Sequence, residues 1–184
     1  MASILENTNN NYLISGSVLN ETTFLWNAYG IEINQYGEQL SLNDYFLPNT
    51  ESTIKDMIAT EYGFFICGWS HDANITGVAE TYYVMVDNHG NHIQSDTLGN
   101  PNYVNQIYGC CRTADNGYFL VGELWLPQHY PYLLKLDSLG NQVWDSIYYE
   151  YNTFNNLFKD IVPADDGTYH IGGGEAWNDT QCDV

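Results

Sequence analysis

The sequence predicts an all-β protein assembled from several similar units, each a four-stranded antiparallel meander. Three observations carry that expectation. First, a turn residue, four mostly apolar residues and a glycine recur. They read NYLISG (11–16), GFFICG (63–68), GYFLVG (117–122) and GTYHIG (167–172), at offsets of 52, 54 and 50. Second, an apolar residue, Asn or Asp, two further residues and a glycine recur. These are INQYG (33–37), VDNHG (86–90) and LDSLG (136–140), at offsets of 53 and 50. Two markers drifting together at one period indicate an internal repeat. Third, no stretch shows the periodicity of a long amphipathic helix.

The best copy divides into strand-like runs at 104–112 (A), 117–124 (B), 131–137 (C) and 141–149 (D). ADNG (114–117) between A and B is a hairpin signal, because Asn and Gly tolerate the positive φ of a tight reversal. DSLGN (137–141) closes C to D with a glycine where the chain must turn back. On strand B, Tyr118 and Leu120 point one way, Phe119 and Val121 the other, and both sets are apolar. A sheet apolar on both faces needs cover on both, and radial stacking of small sheets provides it. The expected architecture is therefore a β-propeller fragment of about three and a half blades, with boundaries near 1–47, 48–100, 101–150 and 151–184. The first blade has a short A strand near Ser3 to Glu6, and the last is incomplete after its B strand. Propellers close with 4–8 blades, so closure is expected to need more chain than these residues.

The period also aligns single positions. Tyr29, Tyr82 and Tyr132 fall together on strand C and should pack between blades with their hydroxyls partnered. On strand A the alignment groups Met57, Cys111 and Ile161, groups Ile54, Tyr108 and Phe158, and places Cys110 between Asp56 and Asp160. Strand A lines the central channel in a propeller, so Asp56 and Asp160 are candidate channel acids. Their neighbours Lys55 and Lys159 should face the opposite way by strand alternation.

Composition narrows the function. The chain of 184 residues has 4 Lys and Arg against 23 acids, a formal charge of -19. Nucleic acid and anionic membrane surfaces both need clustered cations and are not expected partners. No run approaches the ~20 apolar residues of a spanning helix, so membrane insertion is not expected. The N-terminal MASILENTNNN reads as no signal peptide. Cys67, Cys110, Cys111 and Cys182 lack the C-x-x-C spacing of zinc or redox motifs, and Cys67, Cys110 and Cys111 read as buried free thiols.

No catalytic or cofactor fingerprint is present, so neither a cofactor nor a metal is expected. The D-x-x-G-N runs at Asp87–Asn91 and Asp137–Asn141 lack the ligand spacing of a calcium loop and read as turns closed by the Asp side chain. His71, His89, His92, His129 and His170 form no ligand pattern.

TADNGYFLVG (113–122), YLLKLDSLGN (132–141) with Trp144, and KDIVPADDGTYHIGGG (159–174) resemble the repeat of large secreted Bacteroidetes propellers. Those proteins usually end in a type IX secretion sorting domain. The resemblance spans essentially the whole chain and implies an extracellular or cell-surface propeller, within an adhesin or a glycan-processing protein. Kelch and WD40 propellers are the nearest general comparisons.

The functional expectation is a non-catalytic module that binds a protein or glycan partner through its B–C connections. Those connections are read as 69–80, 123–130 and 175–184. Each holds a tryptophan among polar residues, a pairing suited to stacking on a sugar or anchoring a protein contact. The candidate ligand-binding residues are Trp69, Asp72, Trp125, His129 and Trp177. The alternatives are part of a propeller-type glycan hydrolase or lyase, or a purely structural spacer. No acid pair recurs at matched positions to favour the enzyme.

Overall fold

The structure, a computed structural model, describes residues 3–45, 47, 50–74, 78–99, 103–126, 128–149 and 156–175. Among these residues there is no helix, and fourteen strands form four antiparallel sheets. Sheet 1 holds β1 (Ser3–Glu6), β2 (Tyr12–Leu19), β3 (Trp26–Ile33) and β4 (Gln39–Asp44). Sheet 2 holds β5 (Thr50–Ala59), β6 (Gly63–Asp72), β7 (Glu80–Asp87) and β8 (His92–Leu98). Sheet 3 holds β9 (Val104–Arg112), β10 (Tyr118–Trp125), β11 (His129–Leu136) and β12 (Gln142–Ile147). Sheet 4 is the pair β13 (Asn156–Pro163) and β14 (Tyr169–Glu175). Strands within each sheet lie in chain order, as tight hairpins dictate, and the sheets do not close on one another.

The two-faced strands are covered as their apolar pattern requires. Leu13, Tyr45, Ile54, Phe64, Ile66, Tyr82 and Val84 fill the space between sheets 1 and 2. Phe65, Cys67, Tyr83, Cys110, Tyr118, Leu120 and Leu134 fill that between sheets 2 and 3. There the Phe65 ring stacks on Tyr118 with centroids 3.9 Å apart. Such a pair contributes about 0.5–1.5 kcal/mol beyond the area it buries. Val121, Leu133, Cys111 and Ile161 join sheets 3 and 4. The fourth strands β4, β8 and β12 are largely exposed, so the cores lie along the first three strands.

Tyr29, Tyr82 and Tyr132 do share one register position, opposite Gly16, Gly68 and Gly122. Tyr82 and Tyr132 are fully buried; Tyr29 is half-buried, because its face of β3 has no described sheet over it. The Tyr82 hydroxyl donates to the Tyr45 carbonyl. Burial, then the neighbouring Asp145 carboxylate, pushes the Tyr132 phenol well above its usual range.

The turns between third and fourth strands are built alike. In each, the side chain of Asn34, Asp87 or Asp137 accepts from the main chain two and four residues on, at 2.8–3.0 Å. The positive φ falls on Gly37 (81°), Gly90 (77°) and Gly140 (85°). Two of these glycines are also contact points. Tyr45 lays its ring toward sheet 2 and donates its hydroxyl to the Gly90 carbonyl at 2.7 Å. Tyr83 reaches Gly140 so closely that a β-carbon there would overlap its hydroxyl. Gln94 Nε2 completes the joint, donating to the Tyr83 hydroxyl and the Leu139 carbonyl, both at 3.0 Å. Gly37 has open space around it.

Strand-A alignment is corrected by one residue at β9. The register skips Lys55 in β5, Tyr108 in β9 and Lys159 in β13, each as a one-residue bulge. Tyr108 therefore matches the two lysines, Gly109 matches Asp56 and Asp160, and Cys110 matches Met57 and Ile161. The 60–63 turn closes over one residue fewer than 113–117, which shifted the count. The expectation that Lys55 and Asp56, or Lys159 and Asp160, face opposite ways also fails. At a bulge two residues oppose one, and all four line a single cleft.

Cys67, Cys110 and Cys111 are free and buried. The Cys67 thiol beside Cys110, together with burial, pushes the Cys110 thiol well up; burial pushes Cys111 up to about 11. Cys182 lies outside the described residues.

Two outcomes follow. Gly37→Ala should cost only the left-handed strain, about 1–2 kcal/mol, whereas Gly140→Ala should cost clearly more because Tyr83 must also move. Denaturant unfolding of the two variants decides it, and equal losses would show that the Tyr83 contact contributes nothing. Thiol labelling of the folded chain at pH 8 should spare Cys67, Cys110 and Cys111 until denaturant is added; fast labelling of any of the three would contradict the packing.

Candidate functional site

Among the described site residues, Trp125 and His129 come together, while Trp69 and Asp72 lie on another sheet. Trp69 and Trp125 are strand residues: β6 pairs through to Asp72, and β10 through to Trp125. The connection from β10 to β11 is residues 126–128 alone, closed by Leu126 N–H to the Gln128 carbonyl at 3.0 Å. Polar composition at 69–72 and the acid at 123 read as the start of a loop, yet the ladder continues through both segments. Trp69 follows Gly68 and Glu123 follows Gly122, so the counterpart of Trp69 is Glu123 rather than Trp125. By alternation Trp69 shares the face of Phe65 and Cys67, toward sheet 3, whereas Trp125 shares the face of Val121, toward sheet 4. Trp177 lies outside the described residues.

Asp72 is exposed and closes its own turn, accepting from Asn74 N at 2.8 Å and Asn74 Nδ2 at 2.9 Å. Those bonds, the main-chain one first, lower its pKa. Trp69 is half-buried beside His71, with ring centroids 6.0 Å apart.

Trp125 and His129 do meet. They face each other across the end of the β10–β11 hairpin, with ring centroids 4.1 Å apart. Trp125 is 40% exposed, and His129 is held from beneath. Its Nδ1 lies 2.6 Å from Oε2 of Glu123, a carboxylate only 3% exposed. The other carboxylate oxygen, Oε1, accepts from the Tyr108 hydroxyl. Tyr108 Oη is also 2.8 Å from Gln106 Oε1. Burial first, then the Glu123 hydrogen bond and charge, push the Tyr108 phenol far above its usual range.

A buried carboxylate is expensive unless hydrogen-bonded, and Glu123 has both oxygens engaged. The arrangement therefore fixes a histidine ring and, through it, the tryptophan over it. Glu123 is the residue that sequence reasoning missed. Its signal is an acid inside YFLVGELW, a strand otherwise apolar on both faces.

On the other side of Tyr108 lies the cleft where the bulges meet. It encloses about 530 Å³ and is lined by Ser3, Lys55, Asp56, Tyr108, Lys159 and Asp160. Asp56 accepts from Met57 N at 2.8 Å and from Cys110 N at 2.9 Å, the latter a bond between sheets 2 and 3. Burial outweighs these bonds and raises the Asp56 carboxyl. Asp160 accepts from Ile161 N at 2.8 Å. Among the described residues no group of His, Cys, Asp and Glu is placed to hold a metal ion.

No family model matches the chain, and no curated protein is similar enough to match it.

Tyr108→Phe tests the buried carboxylate. It removes one of the partners of Glu123 and should lower stability by about 1–3 kcal/mol in denaturant unfolding. Stability equal to wild type would show that the hydroxyl is not part of the network.

Proposed function

We propose that the four sheets are blades of a β-propeller and that the chain is a non-catalytic binding module for a glycan or protein partner, displayed outside the cell. The chain order of strands in every sheet, the face-to-face packing of successive sheets and the exposed fourth strands support the blade reading. The extracellular setting rests on the resemblance of 113–122, 132–141 and 159–174 to secreted propellers.

The observation that carries the binding reading is the Trp125–His129 pair. An exposed indole backed by an imidazole, itself fixed by a buried carboxylate, loses little conformational freedom when a ligand stacks on it. Aromatic platforms of this kind suit the apolar face of a sugar ring or a protein hot spot. The enzyme reading has less support. A glycosidase needs one carboxylic acid free to give a proton and a second carboxylate across the substrate. Asp56 and Asp160 do line one cleft, yet each is an acceptor for main-chain N–H groups.

A glycan array and a pulldown with the chain, wild type against Trp125→Ala and His129→Ala, test the reading. Both variants should lose the ligand; Trp125→Ala should melt at the wild-type temperature, whereas His129→Ala should melt lower because Glu123 Oε2 loses its partner. Trp69→Ala should instead lower the melting temperature, because that ring is half-buried between sheets. Ligand retained by both Trp125→Ala and His129→Ala would overturn this surface as the binding site.

A further inference from the structure

The chain's four cations divide into two kinds. Lys135, 6% exposed, is fully engaged: its Nζ donates to Thr113 Oγ1 at 2.8 Å, to Asp115 Oδ1 at 2.9 Å and to the Leu136 carbonyl at 2.9 Å. Arg112 bonds Asn116 Oδ1 at 2.9 Å and lies 3.8 Å from Glu61. These two serve the turn regions that follow the first strands of sheets 2 and 3. Lys55 and Lys159 have no such partner. Among the described residues neither ammonium has a carboxylate within ion-pair distance, although the chain carries 23 acids.

Their contacts are instead aromatic. Lys159 Nζ stands 4.0 Å, and Lys55 Nζ 6.0 Å, from the centroid of the same Tyr108 ring. Lys55 Nζ is also 5.8 Å from the Trp69 ring, whose indole N–H is buried and meets no acceptor. The bulges cause this gathering, since Lys55, Tyr108 and Lys159 are the residues skipped where the first and second strands of sheets 2, 3 and 4 pair. Burial, then repulsion from Lys159, lowers the Lys55 pKa. Asp56 and Asp160 share the cleft, but their oxygens accept main-chain N–H groups rather than the ammoniums. Two like charges are thus held around one ring in a cleft of about 530 Å³, beside two carboxylates that bond main-chain N–H groups instead.

The geometry points to a binding site for a compact oxyanion, a carboxylate or sulfate group, held by Lys55 and Lys159 in the cleft beside the Tyr108 ring. Each lysine offers a point charge with three donors, which suits the several oxygens of such a group. The formal charge of -19 does not forbid it: acids more than about 8–10 Å away are screened at physiological salt, and the two in the cleft, Asp56 and Asp160, are partly offset by the main-chain N–H groups they accept from. The site is separate from the Trp125–His129 surface, and neither reading depends on the other.

Isothermal titration of the whole chain at constant ionic strength, with sodium sulfate in one arm and a sulfated disaccharide in the other, tests it. Sodium chloride serves as the blank. Saturable binding in at least one arm is expected, weakened tenfold or more by Lys55→Met and by Lys159→Met and kept by Arg112→Met. Tighter binding of the disaccharide would identify a saccharide-borne group, and equal binding a free anion. Lys159 is exposed, so its replacement leaves the core intact and keeps the test valid even where Lys55→Met unfolds. No saturable binding in either arm, or binding that both methionine variants retain, would overturn the proposal.

Discussion

The central strands are apolar on both faces, and everything else in this structure answers to that. A lone sheet with Phe64 and Ile66 on one side and Phe65 and Cys67 on the other cannot be stable in water. Each sheet must therefore be sandwiched, and the apolar residues are shared between neighbours rather than gathered into one centre. Stacking in turn demands that the sheets be held at a fixed relation. The tyrosines supply this: Tyr45 and Tyr83 each cross to the next sheet and close on a turn glycine that has no side chain to obstruct them. Main-chain bonds across the gap, from Ile54 N to Ser17 Oγ and from Cys110 N to Asp56, add direction to a contact that hydrophobic burial alone would leave free to slide.

The fold was legible in the sequence to the degree that turns announce themselves. Asn or Asp at the start of a third-to-fourth-strand reversal, with glycine three residues later, marks it directly, because the side-chain cap and the positive φ leave few alternatives. The strands of sheet 3 fall close to where those signals put them. What could not be read is what depends on hydrogen-bond register. A bulge is one residue out of step, and nothing in the local composition around Lys55, Tyr108 or Lys159 announces it. The same limit misplaced the tryptophans. Polar residues at 69–72 and the acid at 123 look like the start of a loop, and only the ladder shows that the strands continue.

The candidate surface was half legible. Trp125 and His129 were separable as an aromatic next to a polar ring near a strand end. The partnership of His129 with Glu123 was not, because a residue six positions earlier reaches the ring only once the hairpin has formed. Asp72, similar in composition, is taken up by its own turn. The difference between the two acids is burial: Glu123 must be satisfied by side chains from other strands, and so organises them, whereas Asp72 is in water.

The bulges carry a consequence for how such a molecule can change. A residue left out of the ladder has its main chain excused from pairing, so its side chain is the only part of it the fold can use. At position 108 the fold does use it, because the Tyr108 hydroxyl serves the buried Glu123. At position 159 the side chain is exposed and can be exchanged without asking the fold to be relearned. Lysine stands there now. Arginine, histidine or glutamate would give the same scaffold a different appetite, which makes position 159 the natural starting point for a library.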